Sequence, residues 1–360
     1  MTGDRCIKKI SISLLKAELI QPFRTALGTH DYLENVLLAL ELEDGTKGWG
    51  EAAVATHITG ETLKQTQDNL DRIKREFIGE RVDQYLRISN RLHQSIPSNP
   101  CAIAAVETAV LDSLTRHQQM PLWRFFGRHL RRLKSDITIV LADLKETEVS
   151  VRKYYRQGFR TFKVKIGRDL DLDIKRLLAV KRLAPKSRIY VDANQGYTAE
   201  EMIKFLKLLK ENDVPVALLE QPVPKDDWDG LRKIARSTTI PVCADESAGS
   251  YDDAVKIIKK KLVSVINIKI MKCGLIHAWK VAQLAKAHEV KLMIGGMMET
   301  SLAMTASAHL AAGMGGFDYI DLDTPFFVKG GLKGNPYLSS DGEYDLRKAK
   351  TGIGIIPEKE

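Results

Sequence analysis

A short β-branched run recurs eight times from residue 137 onward, and this recurrence restricts the fold more than any other feature. The runs are ITIVLAD from Ile137, TFKVKIG from Thr161, RIYVDAN from Arg188, VALLEQP from Val216, IPVCADES from Ile240, SVINIKI from Ser264, KLMIGGM from Lys291 and YIDLDTP from Tyr319. They are spaced at 24, 27, 28, 24, 24, 27 and 28 residues. Amphipathic stretches such as DLDIKRLLAVKRLA and AEEMIKFLKLLKEND fill the intervals, and Gly158 and Pro215 punctuate the approaches to the next strands. A strand–helix unit repeated this often builds a parallel sheet covered by helices, and eight strands close into a barrel. A doubly wound open sheet would want a glycine-rich phosphate turn after its first strand, and none is present.

The preceding segment differs. KKISISLLKAEL and NVLLALELEDGTKGWGEA alternate like strands, with a turn signal at Asp44-Gly45, and helical patterns follow through AIAAVETAVLDSLTRH. This predicts an α+β domain ahead of the barrel. The glycine-rich end of the chain holds no ninth strand–helix unit and is expected to return to that first domain.

In a barrel of this kind the chemistry lies where strands run into loops. Strand two ends in Lys163-Val164-Lys165, strand three in Asp192-Ala193-Asn194, strand four in Glu220-Gln221-Pro222 and strand five in Asp245-Glu246-Ser247. Strand six carries Asn267-Ile268-Lys269, and strand eight Asp321-Leu322-Asp323. Single carboxylates at three successive ends place like charges together, and burying them unpaired is costly. A bound cation removes that cost, and an all-oxygen set suits Mg²⁺, with Mn²⁺ as a substitute. The bland alternative is that each acid caps the next helix or pairs with a nearby lysine. Lys163 and Lys165, two apart, share one face of their strand. Their mutual repulsion and a nearby metal are expected to lower their pKa and make a neutral amine available as a base. Lys269 stands across the barrel mouth, with Lys272 the competitor for its part. A substrate between Lys165 and Lys269 meets a base on one face and an acid on the other, which suits abstraction of a proton α to a carboxylate.

The formal net charge of +9 raises the question of nucleic acid. The basic residues are spread along the chain beside acids, and the densest group (Arg124, Arg128, Arg131, Arg132, Lys134) surrounds a linker, so no nucleic-acid partner is expected. No run of 18 apolar residues occurs, so no membrane-spanning helix is expected. The start MTGDRCIKKISIS lacks a signal-peptide core, which makes the cytoplasm the expected location.

Together, Lys163-x-Lys165, DAN at Asp192, EQP at Glu220, ADES at Asp245, NIKIMKCG around Lys269, GWGEA and AVETAVLDSLTRHQQMPLWRFFG resemble the enolase superfamily, muconate-lactonising subgroup. The resemblance covers nearly the whole chain. It implies an N-terminal α+β capping domain over residues 1–128, a (β/α)₇β TIM-type barrel over 129–325, and a C-terminal segment, 326–360, returning to the cap. Within the subgroup the Asp321-x-Asp323 pair is similar to that of the dipeptide epimerases, where such a pair holds the substrate's α-ammonium. The resemblance implies Lys165 and Lys269 as the opposed acid/base pair, Lys163 as a supporting charge, and Asp192, Glu220 and Asp245 as ligands of one Mg²⁺. It also implies substrate contacts from Thr138, Met297 and Met298, and from Phe23 and Gly28 in the capping loop. The expected partner is a small dipeptide, and a homo-oligomer is compatible with the subgroup.

Two departures bear on specificity. Members acting on L-Ala-D/L-Glu carry an arginine where PFRTALGTH has Gly28, so alanyl-glutamate is not the expected substrate unless Arg24 or His30 substitutes. Hydrophobic dipeptides are expected first. Cys273-Gly274-Leu275 replaces a small-Gly-Gly turn, with a local loop adjustment expected. The alternatives are other activities of the subgroup (cycloisomerase, o-succinylbenzoate synthase, N-acylamino acid racemase), whose substrates lack a free ammonium, and a Schiff-base aldolase using Lys165 or Lys269.

Overall fold

The computed structural model describes residues 4–167, 169–331 and 333–357. Eight short parallel strands form one sheet in chain order: Ile137–Ile139, Thr161–Lys165, Arg188–Asp192, Val216–Glu220, Val242–Ala244, Val265–Ile268, Lys291–Ile294 and Phe317–Ile320. A helix of ten to fourteen residues lies in each of the seven intervals, from Leu144–Gln157 to Ser301–Met314. The sheet is curled. Its first and eighth strands meet where the Asp136 amide donates to the Ile320 carbonyl at 2.9 Å and the Leu322 amide donates to Ser135 Oγ at 2.8 Å. The recurrence in the sequence therefore ends in a (β/α)₇β barrel.

The helices begin and end as their sequences dictate. Thr198 and Glu201 form a capping box at Ala199–Glu211, and Asp143 caps Leu144–Gln157, which stops at Gly158 in a left-handed conformation (φ 108°). Inside the barrel, below the catalytic end, Tyr190, Leu218, Cys243, Val265, Met293 and Tyr319 fill the interior, so the barrel is a packed core closed beneath the site.

The preceding segment is a three-stranded antiparallel sheet, Ile7–Thr25, Gly28–Leu42 and Lys47–Ala52, packed on helices Leu63–Glu76 and Pro100–His117, with helix Tyr85–Ser95 against the latter. Gly48 and Gly50 let that sheet approach the last helix. A Cβ at Gly50 would lie 1.9 Å from the Ala105 carbonyl oxygen. The stretch around 23–30, expected as a loop, is instead the tip of a long hairpin: strand runs to Thr25 and resumes at Gly28. The alternation that would have marked these strands is lost because both faces near the tip are only partly buried.

The final segment touches both parts of the molecule. Glu343–Tyr344 pairs with Leu133–Lys134, the Ile353 amide donates to Asp112 at 2.6 Å, and Arg116 donates to the Ile355 carbonyl at 3.0 Å. Leu275 opens its helix fully buried and without a positive φ. Gly274 takes the positive value (φ 79°) instead, so one glycine suffices at this turn.

Candidate active site

The catalytic end of the barrel faces the hairpin tip across a cavity of about 750 Å³, part of it open to solvent. Lys163, Lys165, Thr138, Lys269, Met297, Met298, Asp321 and Asp323 line it from the barrel, and Phe23, Gly28 and His57 from the cap. The barrel lysines and acids reach it because period-two alternation turns residues 163 and 165 inward, and parallel pairing sets Lys165 beside Asp192 and Asp192 beside Glu220.

Asp192, Glu220 and Asp245 are each at most 1% exposed. They meet lysines rather than one another. Lys165 Nζ stands 2.6 Å from Asp192, and Lys269 Nζ 2.7 Å from Asp245. Lys163 Nζ sits centrally, 2.6 Å from Asp321, 2.9 Å from Glu220 and 3.1 Å from Asp192. Lys272 is turned beneath the site: it bonds Asp245 at 2.8 Å and the Asn267 carbonyl at 2.9 Å and does not line the cavity. Lys269, not Lys272, thus faces Lys165 across the cavity.

The strand ends are held by amides. Gln221, in the left-handed region at φ 34°, accepts from the Asp245 and Ser247 amides and donates to Ser247 Oγ. Asn267 donates to Glu220 at 2.8 Å, and the Asn194 amide donates to Asp192 at 2.9 Å. Non-glycine residues at such φ values cost strain and mark ends whose side chains are aimed for a purpose.

Charge explains the protonation pattern. Burial opposes ionisation of Asp192, but Lys165 and Lys163 outweigh it and hold its carboxyl at about 2. Lys269 and Lys272 likewise outweigh burial at Asp245 and hold it well below the carboxylate range. Glu220 goes the other way: burial, then Asp192, push it up to about 8. Glu246 rises to about 7 for the same kinds of reason. The expected lowering of Lys163 is not found. Burial works in that direction, but Asp321, Glu220, Asp192 and Asp136 outweigh it and raise its pKa well above the lysine norm. That expectation rested on lysine repelling lysine and on a nearby metal, whereas Lys163 here stands within 3.1 Å of three carboxylates.

The donor set suits a hard divalent cation. The candidate ligands are all oxygens, and the buried Asn194 Oδ1, Asn267 Oδ1 and both Glu246 oxygens have no hydrogen-bond partner among the described residues. Acids outnumber lysines around the cavity floor, and the raised Glu220 and Glu246 record that imbalance.

The cap supplies what single-strand reading could not. Arg24 points away from the cavity, 3.4 Å from Glu146, whereas His30 lines it and packs edge-on against His57 at 5.9 Å between centroids. Leu27, Val54 and Ile58 complete an apolar wall with Phe23, which rests on Phe327. A Cβ on Gly28 would meet only the His57 ring, at 3.6 Å, but its φ of 156° is one that side chains disfavour. A short helix, Thr56–Thr59, carries His57 to the hairpin tip, within the 56–60 stretch expected to shape side-chain specificity together with 23–30. Asp136 was missed, although it stands two residues before Thr138 and so faces inward with it.

A capped (β/α)₇β barrel with opposed lysines and strand-end acids defines a class of carbon-acid enzymes. The family models agree: residues 9–127 match the mandelate racemase / muconate lactonizing enzyme N-terminal domain, and residues 146–360 the enolase C-terminal domain-like family. The hydrophobic dipeptide epimerase of Citrifermentans bemidjiense is 45% identical over 96% of both chains, and the aromatic dipeptide epimerase of Herpetosiphon aurantiacus 39% identical over 89% of this chain and 91% of that one. Among solved structures, the dipeptide epimerase of Enterococcus faecalis complexed with Mg and L-Leu-L-Tyr superposes with a TM-score of 0.91 at 30% identity, covering 97% of this chain and 99% of that one. The chain belongs to the dipeptide epimerases of the enolase superfamily, and is an isomerase.

Proposed function

We propose that the protein inverts the α-carbon of the C-terminal residue of hydrophobic dipeptides by 1,1-proton transfer. The observation that carries this reading is that Lys165 and Lys269 line one cavity from the second and sixth strands of an eight-strand barrel, and that Asp321, Asp323 and an apolar wall of the cap line the same cavity. One lysine removes the α-proton and the other returns a proton to the opposite face, so the stereocentre inverts. Lys163, held charged by its acids, stabilises negative charge growing on the substrate carboxylate. Asp321 and Asp323 accept from the dipeptide's ammonium, which an N-acylated substrate would lack.

Asp192, Glu220 and Asp245 are the residues that would hold a single Mg²⁺, with Asn194 and Glu246 close behind them. Held there, Mg²⁺ would supply positive charge that competes with Lys165 and Lys269 for their carboxylate partners and favours negative charge developing on the substrate.

The side-chain preference follows from the wall. Among the described residues no arginine or lysine of the cap lines it; its polar members are His30, His57 and Thr25 among Phe23, Leu27, Val54 and Ile58. Burial, then His57, lowers the pKa of His30, which keeps it neutral at physiological pH. An apolar side chain fits such a wall and a carboxylate does not. The names of the two relatives above, hydrophobic and aromatic dipeptide epimerases, point the same way.

The test is to incubate a library of L,L-dipeptides with enzyme and Mg²⁺ in D₂O and read α-deuterium by mass spectrometry. The expected result is exchange concentrated on dipeptides with an apolar C-terminal residue. Exchange with no dipeptide would sink the proposal, and a preference for alanyl-glutamate would sink its specificity.

A further inference from the structure

Beside the acid pair of the eighth strand lies a third acid that the reaction above does not use. Asp136 is 1% exposed and, unlike Thr138, Asp321 and Asp323, does not line the cavity. One carboxylate oxygen each from Asp136, Asp321 and Asp323 lie within 4.8 Å of one another. Donors reach two of the three acids: Lys163 donates to Asp321 at 2.6 Å, and the Thr138 amide to Asp323 at 2.5 Å. Both oxygens of Asp136 are buried without any hydrogen-bond partner among the described residues.

Three carboxylates this close in a dry interior cannot all stay ionised. Lys163 balances one charge, and a substrate ammonium would balance a second. Nothing balances a third. The acid without a donor is the one for which the neutral form costs least, because a protonated carboxyl gains an O–H to offer a neighbouring carboxylate. The other ionisable groups facing it are Lys163 on the second strand, Tyr190 on the third and Glu220 on the fourth. Burial, then Asp321 and Asp323, push its carboxyl well above the usual range.

We propose that Asp136 is kept as a neutral carboxylic acid and is a positioning residue for the amino-end subsite. Its O–H turns toward the Asp321–Asp323 pair, directly or through one water, and fixes their orientation. The pair then presents one uncompensated negative charge, matched to one ammonium, and has no call for a second cation. This rests on the reading that Asp321 and Asp323 bind the dipeptide's ammonium.

The experiment uses the full-length Mg²⁺-loaded enzyme with Asp136→Asn and Asp136→Ala. Asparagine is neutral and keeps a donor, so kcat/KM for a dipeptide should stay within about threefold of wild type with an unshifted pH profile, while alanine raises KM about tenfold or more with a smaller change in kcat. Equal losses in both variants would overturn the proposal. Independently of activity, the infrared difference spectrum of wild type minus Asp136→Asn at neutral pH should contain the C=O stretch of a protonated carboxyl. Its absence would overturn the proposal even if Asp136→Ala does not fold. Asp323→Asn separates the two ideas: an unchanged KM there would refute the ammonium reading, while the infrared band would still decide the state of Asp136.

Discussion

Single residues divide the labour at this site, and substitutions should separate their parts. Lys165→Met and Lys269→Met should each lower epimerisation by about 10²–10⁴-fold, the range for loss of a positioned acid or base. Residual α-exchange in D₂O, followed by NMR, should survive in each variant only for the epimer whose proton faces the remaining lysine. Exchange of both epimers by one variant would remove the two-base assignment. At the cap, Gly28→Arg has room against His57 but meets a disfavoured φ of 156°. It should therefore destabilise the hairpin tip by about 1 kcal/mol, and selectivity between alanyl-glutamate and alanyl-leucine should move toward glutamate by less than the full effect of a native arginine. Competition assays and thermal melts check both halves. The facing of Lys165 and Lys269 was legible in the sequence because strand ends and period-two alternation are local. The protonation of Lys163 was not, because it depends on Asp321, far along the chain, whose distance from Lys163 no spacing reveals.

One of the clamps that bring cap and barrel together is built on Asn35. Asn35, on the second cap strand, donates to the Met298 carbonyl at 2.8 Å and to Glu51 at 2.7 Å, and Glu51 accepts from the Thr300 amide at 2.9 Å and from its hydroxyl. This sets the 297–300 loop, and with it two cavity residues, against the cap sheet. Asn35→Ala leaves buried Glu51 short of a donor and should cost about 1–3 kcal/mol, read as a lowered urea midpoint. It should also change KM more than kcat, because the acid/base lysines stand on other strands. A change confined to kcat would contradict this. GWGEA signalled the motif, but its partner loop lies some 250 residues on, so the clamp was invisible from spacing.

At the scale of the whole molecule, two linkages are open to measurement. The clustered acids Asp192, Glu220 and Asp245 at the barrel mouth should make the folded protein bind divalent cations that the unfolded chain does not. At a hundred times the dissociation constant, Mg²⁺ then adds about 2.7 kcal/mol, a rise in Tm that Asp245→Asn should abolish. The second linkage is His309. Its Nδ1 accepts from the Trp123 amide, so Nε2 carries the proton and donates to the Ile353 carbonyl at 3.0 Å. Burial lowers its pKa to about 4. The unfolded chain holds this proton more readily, so the neutral histidine's contribution is complete above about pH 6.5 and is lost as pH falls toward 4, on the order of 3 kcal/mol in all. Urea unfolding across that window should show the slope, and His309→Asn should flatten it. The barrel was legible as a whole because its repeat is periodic. The bonds from Trp123 and Ile353 to His309 were not, because they tie together three segments with no shared pattern.

The seam between the first and eighth strands has a consequence for synthesis. Asp136 meets Ile320, and Thr138 meets Asp323, only after nearly the entire barrel has been translated. The part of the cavity lined by Asp321 and Asp323 is therefore the last to exist on a nascent chain. On the proposed reading of that pair, recognition of a dipeptide's amino terminus begins only when the barrel is complete.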